Sequence, residues 1–149
     1  MPASHSPKRR LIAAGLVAWP AAPAFAQAEP EVEAFNKFLG GRRAQTGRLV
    51  LDIPRIADNG NVVPLHIVMP GPFPPGAEVK TIHLFSEKNP VPQMAVFHFP
   101  QPVAKVEIES RIRLAGSQRL AAVATLADGS LYYATADVTV TVSACIDGT

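Results

Sequence analysis

The chain has 149 residues, 14 basic against 12 acidic side chains, 15 prolines and one cysteine, which suits a single domain. Without Lys8, Arg9 and Arg10 its formal charge falls from +2 to −1, so the basic balance belongs to the leader. That leaves no electrostatic footprint for a nucleic-acid or membrane partner, and one cysteine excludes an internal disulfide.

Lys8-Arg9-Arg10 precedes an apolar run from Leu11 to Trp19, then Pro20 and a small-x-small ending at Ala24-Phe25-Ala26. The run is too short to span a bilayer, and the order of features predicts an export signal over 1–26, cleaved before Gln27. The paired arginines loosely match the twin-arginine route. The expected location is the periplasm.

Residues 27–47 read as a helix and linker. Val32, Phe35, Phe38 and Leu39 recur at helical spacing, Glu31 and Glu33 suit the N-terminal dipole, and Gly40-Gly41 ends the run. A helix this short needs tertiary burial, so it is expected to pack on the flank of the domain.

From residue 48 to 142 the period is two. Leu49, Leu51 and Ile53 alternate with polar or outward positions, and Pro54 stops the strand. Asp58-Asn-Gly-Asn61 predicts a turn in which Asn-Gly accepts positive φ. Val63, Leu65, Ile67 and Met69 form the next inward set, with Pro64 marking an edge or bulge. The segment from Pro70 to Gly76 predicts a rigid loop. Strands follow over 79–85 and 94–99, the second with Ala95, Phe97 and Phe99 inward.

Between Val103 and Leu114, Ala104, Val106, Ile108, Ile112 and Leu114 oppose Lys105, Glu107, Glu109, Arg111 and Arg113, a strand with one face in water. Residues 118–126 are mostly Ala, Val and Leu on both parities, as in a central strand covered twice, and Asp128-Gly129 turns the chain into a last strand over 130–142. One helix and about seven strands predict an all-β fold, an immunoglobulin-like antiparallel β-sandwich with a short N-terminal helix.

No catalytic constellation stands out. His66, His83 and His98 lie on different strands without the spacing of a local metal motif, and nucleophile-elbow, zinc-protease and phosphate-loop patterns are absent. The expectation is a protein that is not an enzyme, with no metal and no cofactor. Cys145 remains. If the strand persists, Val138, Val140 and Val142 face inward while Thr139, Thr141, Ser143 and Cys145 face outward. An unpaired thiol in an exported chain suggests a reactive or intermolecular role. Asp147 disfavours its thiolate, so activation is expected from a partner.

Pro54-Arg-Ile-Ala-Asp-Asn-Gly-Asn61, Val63-Pro64, Asn89-Pro-Val-Pro92 and Ala95-Val-Phe97 occur in that order. After them come Ser110-Arg-Ile-Arg-Leu-Ala115 with Gln118, Asp128-Gly129, and Val138-Thr-Val-Thr-Val142 before the terminal cysteine. This succession resembles the SoxY sulfur carriers of periplasmic thiosulfate oxidation. The resemblance implies a non-catalytic subunit that pairs with a SoxZ-like subunit as a heterodimer and carries sulfur intermediates to periplasmic sulfur-oxidation enzymes. By position Cys145 is the attachment residue. The arm over 143–149 (Ser143, Ala144, Ile146, Asp147 and Gly148 around Cys145) lacks the glycines that flank the family's cysteine. It is more similar to a SoxY-related subgroup with an Ala-Ala-Cys-Ile-Glu-type tail. Ala144 and β-branched Ile146 stiffen the backbone where glycines would free it. The rival expectation is an immunoglobulin-like interaction module whose cysteine is incidental or forms an intersubunit disulfide.

Overall fold

The computed structural model describes residues 31–142. The export signal expected over 1–26 and the arm over 143–149 lie outside the described residues. The order is α1 (Glu33–Leu39), β1 (Val50–Asp52), β2 (Ile56–Ala57), β3 (Val63–Met69), β4 (Val79–Ser86), β5 (Gln93–His98), β6 (Val106–Ile112), β7 (Gln118–Leu126) and β8 (Leu131–Val140). Two sheets face each other, one ordered β1-β3-β6 and the other β2-β8-β7-β4-β5. The fold is the expected immunoglobulin-like sandwich. One pair departs from antiparallel order: β2 runs parallel to β8, with Ile56 opposite Thr139 and Ala57 opposite Val140.

Alternation explains the layers. Val63, Leu65, Ile67 and Met69 on β3 meet Ile82, Leu84, Leu120, Ala122 and Ala124 from the other sheet, all buried in one core. The opposite parity of β7 is also apolar because α1 covers it. Val32, Phe35 and Leu39 pack with Phe85, Ala121, Val123 and Leu131 as a second core. The helix therefore docks on the flank, as its apolar stripe predicts. Its last turn closes on Gly40 at φ 56°, a left-handed conformation that favours glycine.

Three local expectations change. Pro64 lies on the middle strand of its sheet, yet the β1 pairing stops at His66, so Pro64 sits at a local edge where its missing N–H costs no ladder bond. The turn after Asp58 needs no positive φ, for Gly60 is not among the positive-φ glycines. The Asn59 side-chain oxygen shapes it by accepting the Asn61 N–H at 2.8 Å. Ala104 is exposed and precedes β6, which begins at Val106. Gly129, by contrast, takes φ 85° in the expected hairpin, and the Asp128 carboxylate accepts the Ser130 N–H at 2.9 Å.

Candidate functional site

Cys145 lies outside the described residues, so the site is built from the backbone that leads to it. β8 carries that backbone. β7 pairs along one edge of β8 as far as Val138, and the segment from Arg55 to Gly60, which includes β2, grips the other edge. The Thr139 N–H donates to the Arg55 carbonyl at 2.8 Å, and the Thr141 N–H to the Ala57 carbonyl at 3.0 Å. The Thr141 hydroxyl donates to the Asp58 carbonyl at 2.6 Å. The Val142 carbonyl accepts the Gly60 N–H at 2.8 Å. On the β7 side, the Ser117 hydroxyl oxygen accepts the Val140 N–H at 2.8 Å. Backbone groups at the end of a strand lack ladder partners, and these groups supply them one by one.

The grip ends the strand earlier than its sequence suggests. Val138 and Val140 are buried, but Val142 is 60 % exposed and follows the end of β8. The alternating parity thus stops at Val140, and Val142 departs from its expected inward side. The physical reason is the turn at Thr141, whose N–H and hydroxyl both point to the β2 segment. Cys145 follows Val142 by three residues, a reach of about 10 Å when extended.

A second tier supports the first. The Gly60 carbonyl accepts the Leu114 N–H at 2.8 Å. The Asn89 Oδ1 accepts the Ala115 N–H at 2.9 Å and the Gln118 Nε2 at 2.9 Å, and the Asn89 Nδ2 donates to the Arg113 carbonyl at 2.8 Å. Gln118 Oε1 accepts the Lys88 N–H at 3.0 Å, and Lys88 Nζ donates to the Ser117 carbonyl at 2.7 Å. Four segments far apart in sequence therefore meet at the root of the arm: 54–61, 88–92, 110–118 and 138–142. Sequence reasoning noticed these segments without giving Asn89, Ser117 or Gln118 a role. The available signal was Gln118, a buried polar residue that opens a strand made mostly of Ala, Val and Leu.

Ser117→Ala is expected to cost about 1 kcal/mol, the usual net worth of one hydrogen bond, and to speed amide exchange at Val140. Urea denaturation and hydrogen exchange measure both.

The histidines do not converge. His66 lies on β3 in one sheet, while His83 and His98 lie on β4 and β5 in the other. Among the described residues, no group of three or more His, Cys, Asp or Glu side chains is placed to hold a metal. His66 Nε2 stands 3.7 Å from Glu107, which also pairs with Lys105, so the charged face of β6 is a solvated one. The His83 ring packs 4.5 Å from the Phe38 ring of α1. Burial, with a lesser push from His98, holds its pKa below the ordinary 6.5. The folded state thus prefers neutral His83. That preference contributes fully above pH 6.5, and its stability is lost as pH falls from there towards the lowered folded value. His83→Gln is expected to flatten this acid-side decline, as urea denaturation at about pH 7.5 and about pH 5.5 would show.

The family model of the sulfur oxidation protein SoxY matches residues 35–145, most of the chain. The chain belongs to the SoxY family. Membership brings a carrier role in sulfur oxidation and a setting of partner proteins, and the match to SoxY runs from α1 to Cys145 itself. No curated protein matches the chain. Among solved structures it is similar to a Thermotoga maritima protein assigned as a superoxide reductase, at 14 % identity and TM-score 0.53, covering 66 % of this chain and 87 % of that one. It is also similar to a hypothetical protein from Pyrococcus horikoshii OT3, at 14 % identity and TM-score 0.50, covering 64 % and 95 %. At such identity the likeness shows the fold shared by this SoxY chain and nothing of its chemistry. No helix among the described residues is long and apolar enough to cross a membrane.

Proposed function

We propose that this SoxY-family chain is an exported, periplasmic carrier subunit, not itself an enzyme, that holds a sulfur intermediate covalently on Cys145. One observation carries the reading: the family match extends to Cys145, three residues past a backbone clamped at Val142. A clamped root with a short tail beyond it suits a group that must be offered to a partner's active site while the domain stays folded. Residues 1–26 are then removed on export, residues 27–142 form the body, and residues 143–149 form the arm.

The chemistry is that of a thiolate. Joining it to thiosulfate through a new S–S bond removes two electrons, and an electron-accepting partner enzyme must take them. Later steps act on the outer sulfur while Cys145 keeps the inner bond. A SoxZ-like subunit is the proposed heterodimer partner, and periplasmic sulfur-oxidation enzymes are the visitors to the arm. The alanine and isoleucine beside Cys145 support reading this arm as one of the Ala-Ala-Cys-Ile-Glu type.

The test is the intact mass of protein isolated from its native periplasm, before and after reductant, with the modified peptide sequenced. A reductant-sensitive adduct of sulfur mass on Cys145 supports carriage. A thiol that is always free, in cells actively oxidising reduced sulfur, rejects it.

A further inference from the structure

β5 and β6 are the outermost strands of their respective sheets, and the sandwich is open between them. A groove of about 440 Å³ lies there. Val91, Met94 and Ile112 give it apolar walls, Arg111 and Arg113 line it, and no carboxylate does. Val91 is 69 % exposed, the most exposed large hydrophobic among the described residues. Neither arginine takes part in an ion pair among the described residues. Arg111 also borders a separate hollow that holds Asp52 and Glu109, so Arg113 is the arginine given over to the groove.

This groove begins at the root of the arm. The Val142 carbonyl meets Gly60, the Gly60 carbonyl meets Leu114, and Arg113 is the residue before Leu114. Two hydrogen-bonded steps of about 5 Å and one residue of about 4 Å separate Val142 from Arg113. The five residues from Ser143 to Asp147 span up to about 17 Å, enough to cover that path. Their chemistry also matches: Ile146 is apolar and Asp147 is acidic, side by side, as the walls and arginines require.

We infer that the groove between β5 and β6 is a parking site for the chain's own arm, with Ile146 against Val91, Met94 and Ile112 and Asp147 beside Arg113 and Arg111. The parked arm keeps Cys145 against the body, and a partner must displace it to reach the thiol. This assignment rests on reading residues 143–149 as an arm but not on what the arm carries. It also gives Ile146 and Asp147 a purpose that flanking glycines could not serve, since an apolar and an acidic side chain hold a fixed berth while glycines hold none.

The experiment is the alkylation rate of Cys145 by neutral iodoacetamide in the reduced chain, followed by intact mass. Arg111→Gln with Arg113→Gln, and separately Ile146→Ser, are expected to raise the rate roughly three- to tenfold, the scale of losing weak surface ion pairs or one apolar contact. High salt is expected to raise the parent rate and leave that of the arginine variant unchanged. Losing arginines alone would make a thiolate less favourable, so a faster reaction reports release of the arm and not activation of the sulfur. Both substituted arginines are exposed, so the fold is preserved in that variant.

Parent and variant rates that coincide overturn the assignment and leave the groove to a partner's acidic segment. Protection that grows with protein concentration overturns it too, because the occupant is then the arm of a second copy. The assay needs no cargo. A thiol found free in active cells would defeat the carrier reading and leave this result standing, and equal alkylation rates would do the reverse.

Discussion

Cys145→Ser is expected to abolish every reductant-sensitive adduct on the chain and to stop the sulfur oxidation that depends on it, with the fold unchanged. The loss should be complete and not partial. A serine hydroxyl does not exchange with disulfides, and the chain has no other sulfhydryl to take over. Stability should not move, since Cys145 follows Val142, the last clamped residue among those described, by three positions. The measurement pairs intact mass with sulfur-dependent oxygen uptake in cells carrying only the variant. Uptake at the parent rate would show that the cysteine is incidental, and the interaction-module reading would take its place.

Asn89→Ala is expected to lower stability by about 2–4 kcal/mol, because it removes both sides of a partly buried network at once. The Ala115 N–H and the Gln118 Nε2 lose their shared acceptor, and the Arg113 carbonyl loses its donor. Gln118 is 5 % exposed, so its amide cannot turn freely to water for compensation. The damage should spread towards the arm: amide exchange at Leu114 and Gly60 should rise, since Leu114 donates to Gly60 and Gly60 to Val142. Asn89→Asp should cost less than alanine, as it keeps the acceptor and loses only the donor. A cost under about 0.5 kcal/mol for the alanine variant, in the range of neutral surface changes, would show that the network adds nothing.

Much of the body could be read along the chain. Alternation in β3 and double-sided apolarity in β7 follow from side-chain period alone, and both buried sets are the ones that period names. The stripe of Val32, Phe35 and Leu39 likewise foretold a docked helix. The misjudged points share a cause. Pro64 depends on where β1 stops, Gly60 on a side chain at Asn59, and Val142 on a segment some 80 residues earlier in sequence. Each is decided by a neighbour in space, and local periodicity holds no record of such neighbours.

The sequence by itself determined the sandwich, its helix and the single cysteine. Those properties depend on residue type and period-two burial, which are local. Only the tertiary structure decided that residues 54–61, 88–92, 110–118 and 138–142 come together, and that the last strand is released at Val140. Hydrogen bonds between distant backbone groups set both, since an end-of-strand N–H must find a partner wherever the fold brings one. The arginine-lined groove beside that root belongs to the same class: Arg111 and Arg113 read along the chain as one side of a solvated strand, and the open edge between β5 and β6 makes them a site.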